Sequence, residues 1–165
     1  MMALRNIRVD EDPVLRKKAK KVDKFNPRLH GLLDDMAETM YAAPGVGLAA
    51  PQVGMLKRAI VFDIDENLFE MVNPVITKTE GEQIEIEGCL SVPGKYGRVE
   101  RPEKITVEYQ DRYGDKHILD AEGLKAVVIC HETDHLDGKL FTDLVIEYLT
   151  PEELEESGEE FDEAL

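Results

Sequence analysis

His131-Glu132-Thr133-Asp134-His135 is the stretch on which the reading of this chain turns. It sits between Gly123 and Gly138, in a segment where Leu124, Val127, Val128, His131 and His135 recur at helical spacing. Gly138 is placed to end that helix. Residues four apart on a helix project from one face, so both imidazoles point the same way and can share one divalent metal ion. Glu132, beside them, is free to act as a base. The plain alternative is a buried helix whose two histidines are satisfied by hydrogen bonds.

A catalytic metal takes three protein ligands and keeps a fourth position open. No histidine follows His135, so the third ligand is a later Glu or a Cys. The glutamates of the C-terminal end stand in no convincing frame. Cys89 lies in Glu87-Gly88-Cys89-Leu90-Ser91, just after an alternating stretch, and Gly88 permits tight backbone geometry there. A thiolate with two imidazoles gives a site of formal charge about +1, still able to acidify water. A lone Cys is otherwise most often a buried, inert thiol.

Outward from the motif, local signals give the fold class. Asn26-Pro27 reads as a helix cap and first turn. Leu29, Leu32, Leu33, Met36 and Met40 then share one helical face, and Ala43-Pro44-Gly45 closes a helix that reaches about Ala42. Ala59–Phe62 and Met71-Val72 are short apolar pieces flanked by breakers. Gln83–Glu87 alternates, with Ile84 and Ile86 on one side. Lys104–Gln110 alternates with Ile105, Val107 and Tyr109 on one side, and Asp111–Asp115 turns the chain into a returning strand, Lys116–Leu119. Thr150-Pro151-Glu152-Glu153 is a further helix start. The pattern predicts an α+β single domain, with antiparallel or mixed sheets packed around a central helix that carries H-E-x-x-H. Residues 1–149 form the catalytic unit in this reading, and 150–165 an acidic tail or short helix that frays toward its end.

Bulk properties set the surroundings. The chain has 165 residues, 42% of them hydrophobic and 33% charged, and a net charge of −15. That size suits one domain with a sizeable core. The acidity argues against a broad DNA-binding face. Charge is unevenly spread: residues 1–28 hold nine Lys/Arg against four Asp/Glu, whereas 150–165 hold eight acidic residues and no basic one. No apolar run reaches the length of a membrane span, and Met1–Asn6 lacks the apolar core of a secretory signal. We therefore expect a cytoplasmic protein whose two cysteines, Cys89 and Cys130, stay reduced.

A third constellation is Gly45-Val46-Gly47-Leu48-Ala49-Ala50-Pro51-Gln52. Its small residues allow close approach to another backbone, and Gln52 supplies a neutral amide. It is neither a phosphate loop nor a dinucleotide fingerprint. Read by itself, it is a structural turn.

Taken together and in order, Gly45–Gln52, Glu87–Ser91 and His131–Gly138 resemble the three motifs of the peptide deformylase family: G-φ-G-φ-A-A-P-Q, E-G-C-φ-S and H-E-x-D-H-L-x-G. The likeness runs from Pro13-Val14-Leu15-Arg16 to about Tyr148. It implies a metal-dependent hydrolase that removes the formyl group from the N-terminal formylmethionine of newly made proteins. The resemblance implies Cys89, His131 and His135 as metal ligands and Glu132 as acid/base. It implies Gln52 and the backbone N–H of Leu90 as oxyanion donors. Gly45, Val46, Gly47 and Gly88 would flank the peptide backbone, and Val127 and Val128 would help form the methionine pocket, beside their plain reading as core. The family commonly uses Fe2+ and tolerates other ions, with Zn2+, Ni2+ and Co2+ as candidates. Nascent N-formyl-Met peptides are the implied partners, with room for a transient ribosome contact.

Two positions depart from the family pattern. Cys130 stands where Gln is usual, and we read it as a packed thiol. Some relatives end in a basic helix thought to dock on the ribosome, whereas this chain ends in acid. Two other classes compete with the reading. A zinc endopeptidase would use the same H-E-x-x-H, but the H-x-x-G-x-x-H extension is missing. A metal-stabilised binding module would need a closed, four-ligand site, and only three good ligands are visible.

Overall fold

The computed structural model describes residues 3–156. The expected helix is α1, Pro27–Ala42. Asn26 caps it through its side-chain oxygen, which accepts from the Leu29 N–H at 3.1 Å, and Pro27 occupies the first turn, where no N–H is needed. Leu29, Leu32, Leu33, Met36 and Met40 are all buried.

A five-stranded sheet has the spatial order β1-β2-β3-β6-β7, with β1 Gly47–Ala49, β2 Ala59–Ile64, β3 Asn67–Glu80, β6 Lys104–Gln110 and β7 Lys116–Glu122. A second sheet has the order β4-β5-β8, with β4 Gln83–Cys89, β5 Val92–Arg101 and β8 Val145–Tyr148. Every strand pair is antiparallel. The helix carrying His131 and His135 is α2, Leu124–Leu136.

The apolar run of β2 is explained by burial on both faces. Ile60 and Phe62 pack with Val127, Val128 and Ile129 of α2, while Ala59 and Val61 pack with Leu33, Met36 and Met40 of α1. The two helices thus cover opposite faces of the sheet, which is why the strand reads as continuously hydrophobic rather than alternating. α2 also touches β5 of the smaller sheet, so it is central to the molecule.

β3 runs straight through Asn73-Pro74, which the sequence suggests as a break. A register shift between Val72 and Val75 spans the pair, and Asn73 takes a positive φ of 51°. A bulge absorbs the proline, which cannot donate to the ladder. Asn73 is in turn held by both polar groups of the Val22 backbone. Thr150 caps α3, Pro151–Glu156, by accepting from the Glu153 N–H at 3.2 Å. The expected fraying of the tail falls on 157–165, outside the described residues. Among the described residues no helix is long and apolar enough to cross a membrane.

Candidate metal centre

Three elements converge on one buried point. β4 ends at Cys89, and its period of two puts Glu87 on the same face as Cys89. Both are buried, while Ile84 is half exposed. The apolar side of this strand, which the alternation marks, is therefore not its core side. α2 supplies His131, Glu132 and His135, all buried. The segment β1 and the turn of 3-10 helix after it, Ala50–Val53, lie against the same helix.

Cys89 Sγ lies 3.4 Å from His135 Nε2. One donor atom from each of Cys89, His131 and His135 falls within 4.8 Å of the others. The two imidazoles are 5.1 Å apart, centre to centre. His131 Nε2 and both carboxylate oxygens of Glu132 are buried without a hydrogen-bond partner. Buried polar atoms normally have one. A thiolate and two imidazoles suit a divalent transition metal and do not suit Mg2+ or Ca2+. The residues therefore fit a metal ion.

Surrounding groups orient the cage. His131 Nδ1 donates to Glu87 Oε1 at 2.8 Å, which leaves Nε2 bare on the other side of the ring. Glu87 also receives Arg101 Nε at 2.8 Å and Arg101 Nη2 at 2.9 Å. Burial pushes the Glu87 carboxyl up, but the hydrogen bonds from Arg101 and His131 outweigh it and hold the group at about 2. Burial pushes the Glu132 carboxyl up to about 7, with the His131 charge pulling the other way. The Cys130 thiol is pushed up to about 11 by burial, in keeping with a packed, inert side chain.

Gln52 is fully buried, and its amide is engaged at both ends. Oε1 accepts from the Ala49 N–H at 2.9 Å; Nε2 donates to Ser91 Oγ at 3.0 Å and faces Cys89 Sγ at 3.6 Å. Leu90, half-buried, follows Cys89 directly. The segment Gly45–Gln52 is thus more than the turn its small residues suggest by themselves, since Gly47–Ala49 forms the outer strand of the large sheet.

The polypeptide deformylase family model matches residues 4–149. The chain belongs to this family. The peptide deformylase of Caldicellulosiruptor bescii is 59% identical over 155 residues, covering 94% of this chain and 93% of that protein. The peptide deformylase of Acetivibrio thermocellus is 56% identical over 158 residues, covering 96% and 93%. Among solved structures, the Thermotoga maritima peptide deformylase superposes with a TM-score of 0.85 at 42% identity, covering 87% of this chain and 98% of that one. The Legionella pneumophila peptide deformylase gives 0.84 at 45% identity, covering 94% and 92%. The chain is accordingly an enzyme with the α+β deformylase fold.

The remaining positions read from the likeness to deformylases fall in different places. Gly47 and Val46 lie beside α2: a Cβ on Gly47 would stand 2.5 Å from Glu132 Oε2, and Val46 packs on the cluster that contains Val127 and Val128. Gly45 is buried and closes α1, donating its N–H to the Met40 carbonyl at 2.8 Å. Gly88 is small for another reason, since a Cβ there would stand 2.5 Å from the Tyr96 ring. Val127 and Val128 are fully buried in the core. Sequence reasoning missed Ser91 as a partner of Gln52, and Arg101. It quoted Glu87 without a role, although its place two residues before Cys89 on a strand was a usable signal.

Proposed function

We infer that this enzyme removes the N-formyl group from formylmethionine at the start of new polypeptides, releasing formate and a free amine. The observation that carries this reading is the buried trio Cys89, His131 and His135 with the unpartnered Glu132 carboxylate beside it. Three protein ligands leave a position open for chemistry, unlike a closed structural site.

When bound by these three residues, a divalent ion would supply Lewis acidity that polarises a carbonyl oxygen and acidifies water. Glu132 takes the proton of the attacking water on its carboxylate and returns it to the leaving nitrogen, so the C–N bond breaks to a neutral amine. Gln52 Nε2 and the Leu90 N–H donate to the oxygen of the formyl group as it gains charge. For Gln52 this means exchanging its contact with Ser91 or Cys89 for one with substrate. β1 is an edge strand of its sheet, so an extended peptide can pair along it from Gly47, with Gly45 and Val46 flanking the peptide just before the strand. Gly88 lies on the strand leading to Cys89, and Val127 and Val128 back the pocket assigned to the methionine side chain.

We assign Fe2+ as the ion in the cell on the resemblance to deformylases, with Zn2+, Ni2+ or Co2+ as substitutes; a thiolate with two imidazoles suits all four. We assign the enzyme to the cytoplasm, where polypeptides are begun. For a transient ribosome contact we assign the basic stretch from Arg16 to Lys24, in which Lys17, Lys18, Lys20, Lys21 and Lys24 are exposed. Phosphates attract such a patch and repel the acidic tail.

The test is to incubate metal-loaded protein with N-formyl-Met peptides and assay formate and internal cleavage together. Formate without internal cleavage is expected; internal cleavage without formate would make the protein an endopeptidase.

A further inference from the structure

We propose that Arg101 is a positioning residue for the metal centre, tying the strand that bears Cys89 to the helix that bears both histidines. The inference rests on reading Cys89, His131 and His135 as the ligands.

Arg101 closes β5 and is almost entirely buried, at 5% exposure. Its guanidinium forms three charge-assisted hydrogen bonds in two directions. Nε and Nη2 fork onto the Glu87 carboxylate of β4, while Nη1 donates to Asp134 Oδ2 of α2 at 2.7 Å. Glu87 stands two residues before Cys89, and Asp134 immediately precedes His135. One side chain therefore grips both ligand-bearing elements within two residues of a ligand on each.

The same fork fixes the ring of His131. Glu87 Oε1 takes both the His131 Nδ1–H and an Arg101 N–H, so the carboxylate is pinned from one side while it orients the imidazole from the other. Partners of this kind set the tautomer and direction of a ligating histidine. With Arg101 gone, Glu87 is a buried carboxylate whose only remaining side-chain partner of these two is His131. It is then free to rotate, and the ring follows. Lysine cannot replace the fork, because an ammonium is a point charge without the planar, two-edged geometry.

The test uses the full chain and Co2+, whose visible bands report ligand type and geometry without turnover. Arg101→Met, Arg101→Lys and Asp134→Asn are compared with the parent for Co2+ dissociation constant, visible spectrum and melting temperature without metal. Loss of such an orienting partner typically weakens metal binding roughly 10–100-fold. Arg101→Met should fall in that range with altered ligand-field bands. Arg101→Lys should fall between it and the parent. Asp134→Asn, which weakens only the grip on the helix by removing its charge while leaving an amide oxygen to accept from Nη1, should lose less. If Arg101→Met does not fold, Arg101→Lys and Asp134→Asn decide. Folded variants with the parent's Co2+ affinity and spectrum, and only a lower melting temperature, would reduce Arg101 to a structural staple. A parent that binds no Co2+ would instead overturn the ligand assignment itself.

Discussion

The α-carbon of Gly47 faces the carboxylate of Glu132 so closely that a β-carbon on it would stand 2.5 Å from Oε2. Real side chains do not tolerate that approach. Gly47 takes no positive φ, so its smallness is needed for space and not for backbone conformation. The strand proposed to hold substrate and the carboxylate proposed to move its proton are thereby in direct apposition.

Gly47→Ala should therefore act on Glu132. The carboxylate is the free end of a side chain and can swing aside, at a cost of about 1–3 kcal/mol for overpacking. A displacement of about 1 Å at a reacting group can cost roughly 10²-fold in rate. We expect a folded protein with its metal and a turnover at least tenfold below the parent. Steady-state kinetics with a thermal melt is the check; unchanged turnover would mean that Glu132 needs no such placement.

Gln52 carries two duties, and the second is visible only in the structure. Its Oε1 satisfies the buried Ala49 N–H, so Gln52→Leu leaves that donor unpaired, at about 1–3 kcal/mol. The sequence alone suggests a change in chemistry with little change in fold. Gln52→Glu separates the duties, because it keeps an acceptor for Ala49 and removes the amide donor. Turnover should drop roughly 10²–10³-fold in Gln52→Glu, the range for losing one oxyanion donor. If only KM rises, Gln52 positions substrate and does not stabilise the transition state.

Cys89→Ala should leave two imidazoles and lose most of the metal. Cys89 also packs with Val92, Val99 and Phe141, but a thiol-to-methyl change there is small beside the loss of a ligand. Elemental analysis after desalting tests this, and full retention of metal would remove Cys89 from the site.

Local chemistry made much of this molecule legible. α1 was set by Asn26-Pro27 and an apolar stripe, and the β6–β7 hairpin by the alternation of Lys104–Gln110 and the turn at Asp111–Asp115. Two of the three proposed ligands, His131 and His135, stood out because H-E-x-x-H is a local pattern. What escaped depends on distant partners. β5 contains Pro93, Gly94 and Gly97 and shows no strand signal, yet β4 on one side and β8 on the other hold it. Gly97 is small because a β-carbon there would meet Val145 of β8 at 2.7 Å. The isoleucines of β4 disguise a strand whose buried part is its end, Glu87 to Cys89, where it builds the site. Arg101 carries no local mark at all, because its meaning lies in Glu87 and Asp134, which are 14 and 33 residues away.

The acidic end should be dispensable for chemistry. Every proposed ligand and catalytic group lies at or before His135, and β8, which pairs with β5, ends at Tyr148. Truncation after Leu149 should keep turnover of a small formyl-peptide within a few-fold of the parent. Ribosome co-sedimentation at low salt should be no weaker, because the removed carboxylates are repelled by RNA. A large drop in turnover would make the tail part of the active site; lost co-sedimentation would put the docking surface there.

The most direct measurement is formate release from an N-formyl-Met peptide by Glu132→Gln, with metal content confirmed on the same sample. Glutamine keeps the shape of Glu132 but cannot carry a proton, and such help is worth roughly 10²–10⁴-fold. The account predicts full metal occupancy with turnover reduced by that factor. Formate release near the parent rate, with the metal in place, would contradict it.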